Sequence, residues 1–278
     1  MSINYNVVMA DLVCQLGEHA VSNDPVRRFA WSTDASYFRI VPEIVVHAES
    51  IKDAIKTLEV ARSHQVPVTF RAAGTSLSGQ AIGEGILLML GFDGFREIKI
   101  NQDQSLISVG AAVIGADANA ALKPFNKKIG PDPATLASAK IGGIVSNNAS
   151  GMCCGTAQNS YQTIASAKLV FVDGTRLDTG CEQSKAEFSQ SHPELLTQLQ
   201  QLAQLTQQNE ALTARIKKKY SIKNTTGYSL NALVDYTDPF ELINHLIVGA
   251  EGTLAFVEEV TYHTVEDAKY KASAMAVF

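Results

Sequence analysis

The segment 71–80, RAAGTSLSGQ, contains residue types that bind a phosphate group, because glycines and hydroxyl residues follow a predicted strand. The β-branched and aromatic run at 66–70 predicts that strand. Gly74 and Gly79 let the backbone approach a ligand closely, and the hydroxyl groups add donors to the exposed N–H groups. A nucleoside-triphosphate loop would continue with Lys and then Ser or Thr, whereas Gln and Ala follow here. The segment therefore predicts a diphosphate held without a metal ion, with a plain tight turn as the alternative.

Two further segments contain the small residues that close backbone approach requires. The first spans 130–151, where prolines on both sides of Asp132 stiffen the chain and Gly142 and Gly143 open a predicted helix. The second, VGAEGTLA at 248–255, leads into a predicted strand. The structural alternatives are a rigid turn at the prolines and an ordinary helix start, but an ordinary helix does not explain why glycines and asparagines recur there.

Together, and in this order, the three segments resemble the FAD-binding domain of flavoenzymes of the vanillyl-alcohol oxidase and p-cresol methylhydroxylase type. The resemblance runs from about residue 42 to residue 264 and is closest to the D-lactate dehydrogenase and glycolate oxidase group. The stretches WSTDAS at 31–36 and NNASGMCCGTA at 147–157 resemble large members of that group that append an iron–sulfur domain.

The resemblance implies that FAD lies against the three segments. It implies cofactor contacts at Arg71, Ala73, Gly74, Thr75, Ser76, Gly79, Pro131, Asp132, Ile141, Gly142, Gly143, Asn147, Asn148, Gly151, Glu251 and Gly252. Some family members attach the flavin covalently through a histidine at the position of Thr75, so the threonine implies non-covalent FAD. Asn224 and Tyr228 belong to a segment that runs near the flavin ring in the family, and they either face the substrate or serve in packing.

The function that the resemblance implies is the FAD-binding half of a D-lactate-like dehydrogenase. A D-2-hydroxy acid passes a hydride to flavin N5, and electrons leave to a quinone, a cytochrome or an iron–sulfur centre outside this chain. The catalytic residues are expected in a cap domain that is also outside the chain. Two alternatives stay open: an electron-relay flavin subunit that never meets the organic substrate, and a non-catalytic FAD-binding protein.

Composition and charge narrow the remaining classes of protein function. The 278 residues are 46% hydrophobic and carry a net charge of −5, as in an ordinary globular protein, and the short basic run at 217–219 does not indicate nucleic-acid binding. The four cysteines form no CxxC pair, and no spacing of histidines or cysteines indicates a metal site. The adjacent Cys153 and Cys154 are either reactive groups near the flavin or two small packed residues. The sequence shows neither a signal peptide nor an apolar run of ~20 residues, so we expect a cytoplasmic protein, compatible with peripheral association on the cytoplasmic face of a membrane.

The pattern of elements predicts an α+β fold with two α/β subdomains. Residues 1–41 are expected to form a peripheral helical leader, followed by an FAD-binding domain at 42–265. Its first subdomain, about 42–90, is a small parallel βαβ unit with a helix capped by Ser50 and Asp53. Its second, about 91–265, is a mixed or antiparallel sheet flanked by helices, with hairpins at 98–109 and 164–178. The apolar run at 271–278 reads as a strand, and 266–278 as the start of a truncated substrate or cap domain.

Overall fold

The first third of the chain forms a four-stranded sheet. The computed structural model describes residues 3–91, 93–270, 272 and 274–277 of the whole chain. Its strands are β1 (Val21–Ser22), β2 (Ile44–Ala48), β3 (Val68–Arg71) and β4 (Ile86–Leu90), in the spatial order β1-β2-β4-β3. β2 and β3 both run parallel to β4, whereas β1 is antiparallel to β2. All five residues of β4 are buried, as expected for a central strand of a parallel sheet.

The leader is part of this sheet and not a peripheral segment. Helix α1 (Tyr5–Leu16) buries Val8 and Leu12 in the same apolar cluster as β2, and α2 (Pro25–Ala30) follows β1. The prediction of a peripheral leader is therefore wrong, because pairing of β1 with β2 depends on a contact between distant residues that local pattern does not reveal.

Helix α3 (Ile51–Ser63) connects β2 to β3 and confirms the predicted βαβ unit. The Ser50 side chain accepts from the Asp53 N–H, and the Asp53 carboxylate accepts from the Ser50 N–H, which completes the predicted capping box. Ala54, Leu58 and Ala61 lie on its buried face. The chain then enters β3 and leaves it at Arg71, where the phosphate loop begins.

The second sheet has five strands in the order β5-β6-β10-β8-β9, and every neighbouring pair is antiparallel. The strands are β5 (Ile98–Ile100), β6 (Leu106–Gly110), β8 (Ile164–Val170), β9 (Arg176–Asp178) and β10 (Phe256–His263). A separate two-stranded ladder pairs β7 (Lys127–Lys128) with β11 (Val265–Glu266). Both predicted hairpins, at 98–109 and 164–178, are confirmed.

Helices cover one face of the second sheet and enclose its core. They are α4 (Gly115–Leu122) with a following 3₁₀ turn (Lys123–Phe125), α5 (Ile141–Asn147), α6 (Ser160–Thr163), α7 (Glu182–Ser191), α8 (Pro193–Gln208), α9 (Glu210–Tyr220), α10 (Ala232–Asp235) and α11 (Pro239–Leu246). The core cluster takes side chains from the sheet, among them Ile107, Leu169 and Tyr262, and from α5 and α11. The α+β prediction is confirmed.

An apolar layer joins the two sheets. Leu88 and Leu90 of β4 share one buried cluster with Val170 of β8 and Phe256 of β10. The Phe256 ring lies edge-to-face with Phe70, at a centroid distance of 5.2 Å, and with Phe95, at 5.7 Å. Edge-to-face pairs add to the stability that burial alone provides. The sheets therefore form one packed body with a cleft above this layer.

The C-terminal apolar run gives no support for a strand. Lys271, Ser273 and Phe278 lie outside the described residues, and 272 and 274–277 are assigned to no strand. Within the part of the chain that the structure describes, no helix combines the length and apolarity needed to cross a membrane.

Candidate functional site

A cavity of about 750 Å³ opens between the two sheets, which is within the range of ~300–1,000 Å³ for sites that bind small molecules and cofactors. Its walls bring together the three segments that the sequence singled out. The predicted residues on the walls are Arg71, Ala73, Gly74, Thr75, Ser76, Gly142, Gly143, Asn147, Glu251 and Gly252. Its wall includes the apolar residues Phe70, Leu90 and Phe256, and also residues 75–78 and 225–227.

The phosphate loop presents backbone donors to this cavity. Gly74 and Gly79 have φ angles of 71° and 80°, a region that favours glycine. Among the described residues, the N–H groups of 73–76 have no acceptor. A row of unpaired N–H groups on a concave backbone is suited to an anion such as a diphosphate.

The buried Arg71 side chain supports this loop and packs against Trp31 of the leader. The Arg71 side chain is only 7% exposed, its guanidinium lies 5.3 Å from the Trp31 ring centroid, and it donates to the Ala81 carbonyl over 3.1 Å. Burial lowers the pKa of Arg71, and the nearby Asp34 carboxylate partly opposes that shift. A Cβ at Gly74 would collide with this guanidinium. Arg71 therefore supports the loop backbone in addition to lining the cavity.

The leader also bonds directly to the loop backbone. The Ala35 N–H donates to the Gly74 carbonyl over 3.1 Å, and Asp34 Oδ2 accepts from the Ala81 N–H over 3.4 Å. The sequence had marked 31–36 only by resemblance. A tryptophan and an aspartate close to a predicted glycine loop carry no local signal of this contact.

The α5 wall is fixed by backbone hydrogen bonds to the segment that follows β6. The Ile141 N–H donates to the Val113 carbonyl over 2.8 Å, and the Gly142 N–H donates to the Ala111 carbonyl over 2.9 Å. The N–H groups of the first two residues of α5 are therefore already hydrogen-bonded within the protein. Gly143 is the next residue along the helix. A Cβ on Gly142 would lie 3.0 Å from the Ala111 Cβ. The glycine is needed here for close packing of α5 on the sheet.

The 249–252 loop lies on the C-terminal end of α5. The Gly249 N–H donates to the Val145 carbonyl over 3.0 Å, and the Glu251 N–H donates to the Ser146 carbonyl over 2.8 Å. Gly252 has φ of 73°, and a Cβ there would lie 2.8 Å from the Phe70 ring. The loop thus connects the second sheet to the end of β3 across the cavity.

Glu251 makes side-chain contacts with two other walls. Its Oε1 accepts from Asn147 Nδ2 over 2.6 Å and from Gln80 Nε2 over 3.4 Å, while Gln80 Oε1 accepts from the Ser76 hydroxyl. Burial raises the pKa of the Glu251 carboxyl, and the Asn147 hydrogen bond opposes that shift. Nothing in the local sequence around Gln80 indicates this contact with Glu251.

The Asp132 segment is placed differently from the expectation. Asp132 Oδ1 accepts from the N–H groups of Gly151 and Cys154 over 3.0 and 3.2 Å, so it organises the 150–154 turn. Partial burial favours the neutral carboxyl, but hydrogen bonds from Cys154 and Gly151 outweigh this and hold the pKa of Asp132 below its ordinary value. Burial, and then the Asp132 hydrogen bond, raises the pKa of the Cys154 thiol, whereas Cys153 is exposed. Cys154 is thus a packed residue.

Several predicted residues are described by the structure but lie off the cavity wall, namely Gly79, Pro131, Asp132, Ile141, Asn148, Gly151, Asn224 and Tyr228. Gly79 packs against the Phe38 ring, and Ile141 is in the core. Asn148 ends α5 with φ of 50°, and its buried Oδ1 has no hydrogen-bond partner in the described part of the chain. Tyr228 exchanges a hydrogen bond of 2.8 Å with the Thr253 hydroxyl, next to 225–227 on the wall.

The cavity fits a dinucleotide diphosphate. The unpaired N–H groups of the phosphate loop supply donors, and the glycines of α5 and of the 249–252 loop keep the walls close. The ionisable side chains described on the wall are Arg71, Lys140 and Glu251. No cluster of three or more metal-ligating side chains occurs among the described residues.

Comparison with known proteins agrees with this geometry. The FAD binding domain family matches residues 42–180. The D-2-hydroxyglutarate dehydrogenase of Pseudomonas putida is 26% identical over 254 residues, which are 90% of this chain and 25% of that protein. The D-lactate dehydrogenase of Archaeoglobus fulgidus is 24% identical over 221 residues, which are 78% of this chain and 38% of that protein. The chain spans between about a quarter and two fifths of the length of these curated relatives.

Solved structures share the fold at lower identity. An alkyldihydroxyacetonephosphate synthase superposes with a TM-score of 0.63 at 13% identity, over 96% of this chain and 41% of that one. Because the family match covers half of the chain and includes the phosphate loop and α5, the fold and the cavity have one common explanation. The chain belongs to the FAD-binding domain family of the vanillyl-alcohol oxidase and p-cresol methylhydroxylase type.

Proposed function

We propose that this chain is the FAD-binding part of a flavin-dependent dehydrogenase that oxidises a D-2-hydroxy acid. The observation that carries the proposal is the row of N–H groups at 73–76 that have no acceptor among the described residues, on the wall of a cavity of cofactor size. The dehydrogenase relatives support the reaction class, since those named for D-2-hydroxyglutarate and D-lactate both act on D-2-hydroxy acids. D-2-hydroxyglutarate and D-lactate are accordingly the two candidate substrates.

The residues of the phosphate loop would hold the diphosphate of FAD. The N–H groups of Gly74, Thr75 and Ser76 would donate to its oxygens, and the Thr75 and Ser76 hydroxyls lie on the same wall. Threonine has no nucleophilic nitrogen for a bond to the flavin, so we propose that the cofactor is held without a covalent bond at Thr75. When bound, FAD supplies the acceptor for the two electrons removed from a hydroxy acid.

The substrate side is proposed to be completed by residues outside this chain. A 2-hydroxy acid needs a base for its hydroxyl proton and a cation for its carboxylate. The ionisable groups described on the cavity wall are each engaged in the fold: Arg71 bonds to Ala81, Lys140 to the Leu90 carbonyl and Glu251 to Asn147. The curated relatives are several times longer than the aligned region, so a cap that brings these groups is compatible with the comparison.

Two measurements test the proposal. Purified chain should show the visible spectrum of oxidised flavin, and acid precipitation should leave FAD, identified by mass, in the supernatant. A protein that includes the flanking sequence should lose its flavin absorbance when D-2-hydroxyglutarate or D-lactate is added without oxygen, and the L-enantiomers serve as controls. Flavin in the acid pellet would contradict non-covalent binding. Retained absorbance with every hydroxy acid would favour the electron-relay alternative.

A further inference from the structure

We propose that Glu251 is a positioning residue that clasps the phosphate loop to the opposite wall and slows the release of the cofactor. The inference rests on the proposed binding of FAD in this cavity. It concerns the Glu251 side chain and its contacts with two other walls of the cavity.

The clasp is a chain of hydrogen bonds across the cleft. Asn147 at the end of α5 and Gln80 in the phosphate loop both donate to Glu251 Oε1, over 2.6 and 3.4 Å. Gln80 is in turn tied to Ser76, one of the residues whose N–H groups face the cavity. A single carboxylate oxygen therefore links two segments that are 171 and 104 positions away from it in the sequence.

In sequence, Glu251 lies 104 positions from Asn147 and 171 positions from Gln80, and those two residues are themselves 67 apart (147 − 80). The clasp is therefore a long-range contact between three separate segments. Because Gln80 belongs to the phosphate loop and Asn147 to the opposite wall, loss of the Glu251 side chain removes a direct connection across the cleft.

The backbone at Glu251 is held in a conformation that costs free energy. Its φ is 53°, in the left-handed region that a non-glycine residue adopts at a cost, while Gly249 and Gly252 on either side have φ of 84° and 73°. A glycine at 251 would adopt the same backbone more easily. Position 251 therefore has a glutamate where the backbone conformation favours glycine. This indicates that the carboxyl group of Glu251 has a role of its own.

The electrostatic environment points the same way. Glu251 is partly buried and makes no ion pair within the described residues, so the ionised carboxylate is stabilised by amide donors and not by a cation. Burial of a carboxylate without a cationic partner lowers stability. The left-handed backbone and the buried carboxylate at position 251 therefore both lower the stability of the FAD-free fold. On this proposal, the contacts of Glu251 with the two walls around a bound ligand offset these costs.

The test compares four variants by the rate of FAD release and by the melting temperature without FAD. Release is followed by flavin fluorescence after rapid dilution of the loaded chain. Glu251→Ala and Glu251→Gly should each speed release about tenfold, because Asn147 and Gln80 lose their shared acceptor. Glu251→Gln keeps an oxygen acceptor and should stay within about threefold of the wild type. Glu187→Ala, at an exposed glutamate of α7, is the matched control and should change neither quantity.

The glycine variant separates a clasp from a merely structural role. Glu251→Gly should release FAD faster and yet melt, without FAD, at a temperature at least as high as Glu251→Ala, because the backbone strain is relieved. Release rates of Glu251→Ala and Glu251→Gly equal to that of the wild type would overturn the clasp, as would Glu251→Gln behaving like Glu251→Ala. A wild-type chain that binds no FAD would overturn the proposed cofactor function, and the clasp with it.

Discussion

The two walls of the cavity are held in different ways. The α5 wall is fixed by main-chain hydrogen bonds, from Ile141 to Val113 and from Gly142 to Ala111. The phosphate loop is held largely by side chains from distant segments, with Arg71 against Trp31 behind it and Gln80 bonded to Glu251 in front. A wall built on backbone bonds is part of the fold itself. A wall supported by side chains can lose its shape while the fold persists, so substitutions on the two sides should separate stability from cofactor affinity.

The largest expected effect is on the side-chain-supported wall. Gly74→Val puts a β-branched residue at φ of 71° and drives its Cβ into the Arg71 guanidinium, so the loop must move away from its binding geometry. Loss of charge-assisted bonds from the loop N–H groups should weaken FAD binding by about 100-fold or more. The measurement is the FAD-dependent rise in melting temperature, since FAD at 100 times its Kd stabilises the wild type by about 2.7 kcal/mol.

Gly155→Val is the matched control for that variant. Gly155 also has positive φ, at 51°, but a Cβ there meets no atom within 4 Å and the residue is off the cavity wall. It should lower stability through backbone strain and leave FAD affinity unchanged. An equal loss of affinity in both variants would mean that strain, and not the shape of the loop, weakens binding.

A substitution on the α5 wall, which is held by backbone hydrogen bonds, should mainly lower the stability of the fold. Gly142→Val crowds Ala111, whose Cβ would lie 3.0 Å from the new Cβ, and should lower the free energy of unfolding by about 1–3 kcal/mol. FAD affinity should fall as well, because α5 shifts with the crowding. Gly142→Ala adds only the Cβ and should show a smaller loss. Denaturant unfolding without FAD measures the series, and a valine variant as stable as the wild type would contradict tight packing at this contact.

A smaller effect on FAD affinity is expected from a substitution behind the phosphate loop. Trp31→Ala removes the ring face against which the buried Arg71 guanidinium lies, a contact worth about 1 kcal/mol. FAD affinity should fall about fivefold, as the loop loses part of its support. Trp31→Phe keeps a ring and should be intermediate. Titration of the FAD-free chain with FAD gives the affinities. If alanine and phenylalanine behaved alike, the cation–π contact would not be the support.

The smallest expected effect is a pH dependence at Glu251. Burial raises the pKa of this carboxyl above its ordinary value of 4.5, so the folded chain keeps the proton to higher pH than the unfolded chain does. Stability therefore declines as pH rises from about 4.5 through the higher folded pKa. Glu251→Gln cannot ionise and should gain stability relative to the wild type over that window. Melting temperatures of the FAD-free proteins at several pH values test this, and a constant difference between the two would contradict it.

The sequence predicted the elements whose signals are local. The capping box of Ser50 and Asp53 and the hairpins at 98–109 and 164–178 each depend on neighbours that are close in the sequence. The glycines also predicted segments where the backbone approaches a ligand closely, and glycines of all three segments line the cavity. Resemblance added the identity of the cofactor, which composition and spacing alone did not give.

What could not be predicted depends on contacts between distant residues. Trp31 and Asp34 are ordinary leader residues until the fold places them behind the phosphate loop, and Gln80 is an ordinary polar residue until it meets Glu251. The resemblance placed Asp132 at the cofactor. In the structure its carboxylate accepts from the N–H groups of Gly151 and Cys154 instead, a contact between distant residues.

The aromatic layer under the cavity has a consequence for how the protein folds. Phe70 belongs to the first sheet, and Phe256 to the second, and both contribute to one buried cluster. Neither sheet can unfold without breaking that cluster. The two sheets should therefore unfold together in one cooperative transition. The FAD-free and FAD-loaded proteins should then have nearly the same radius of gyration.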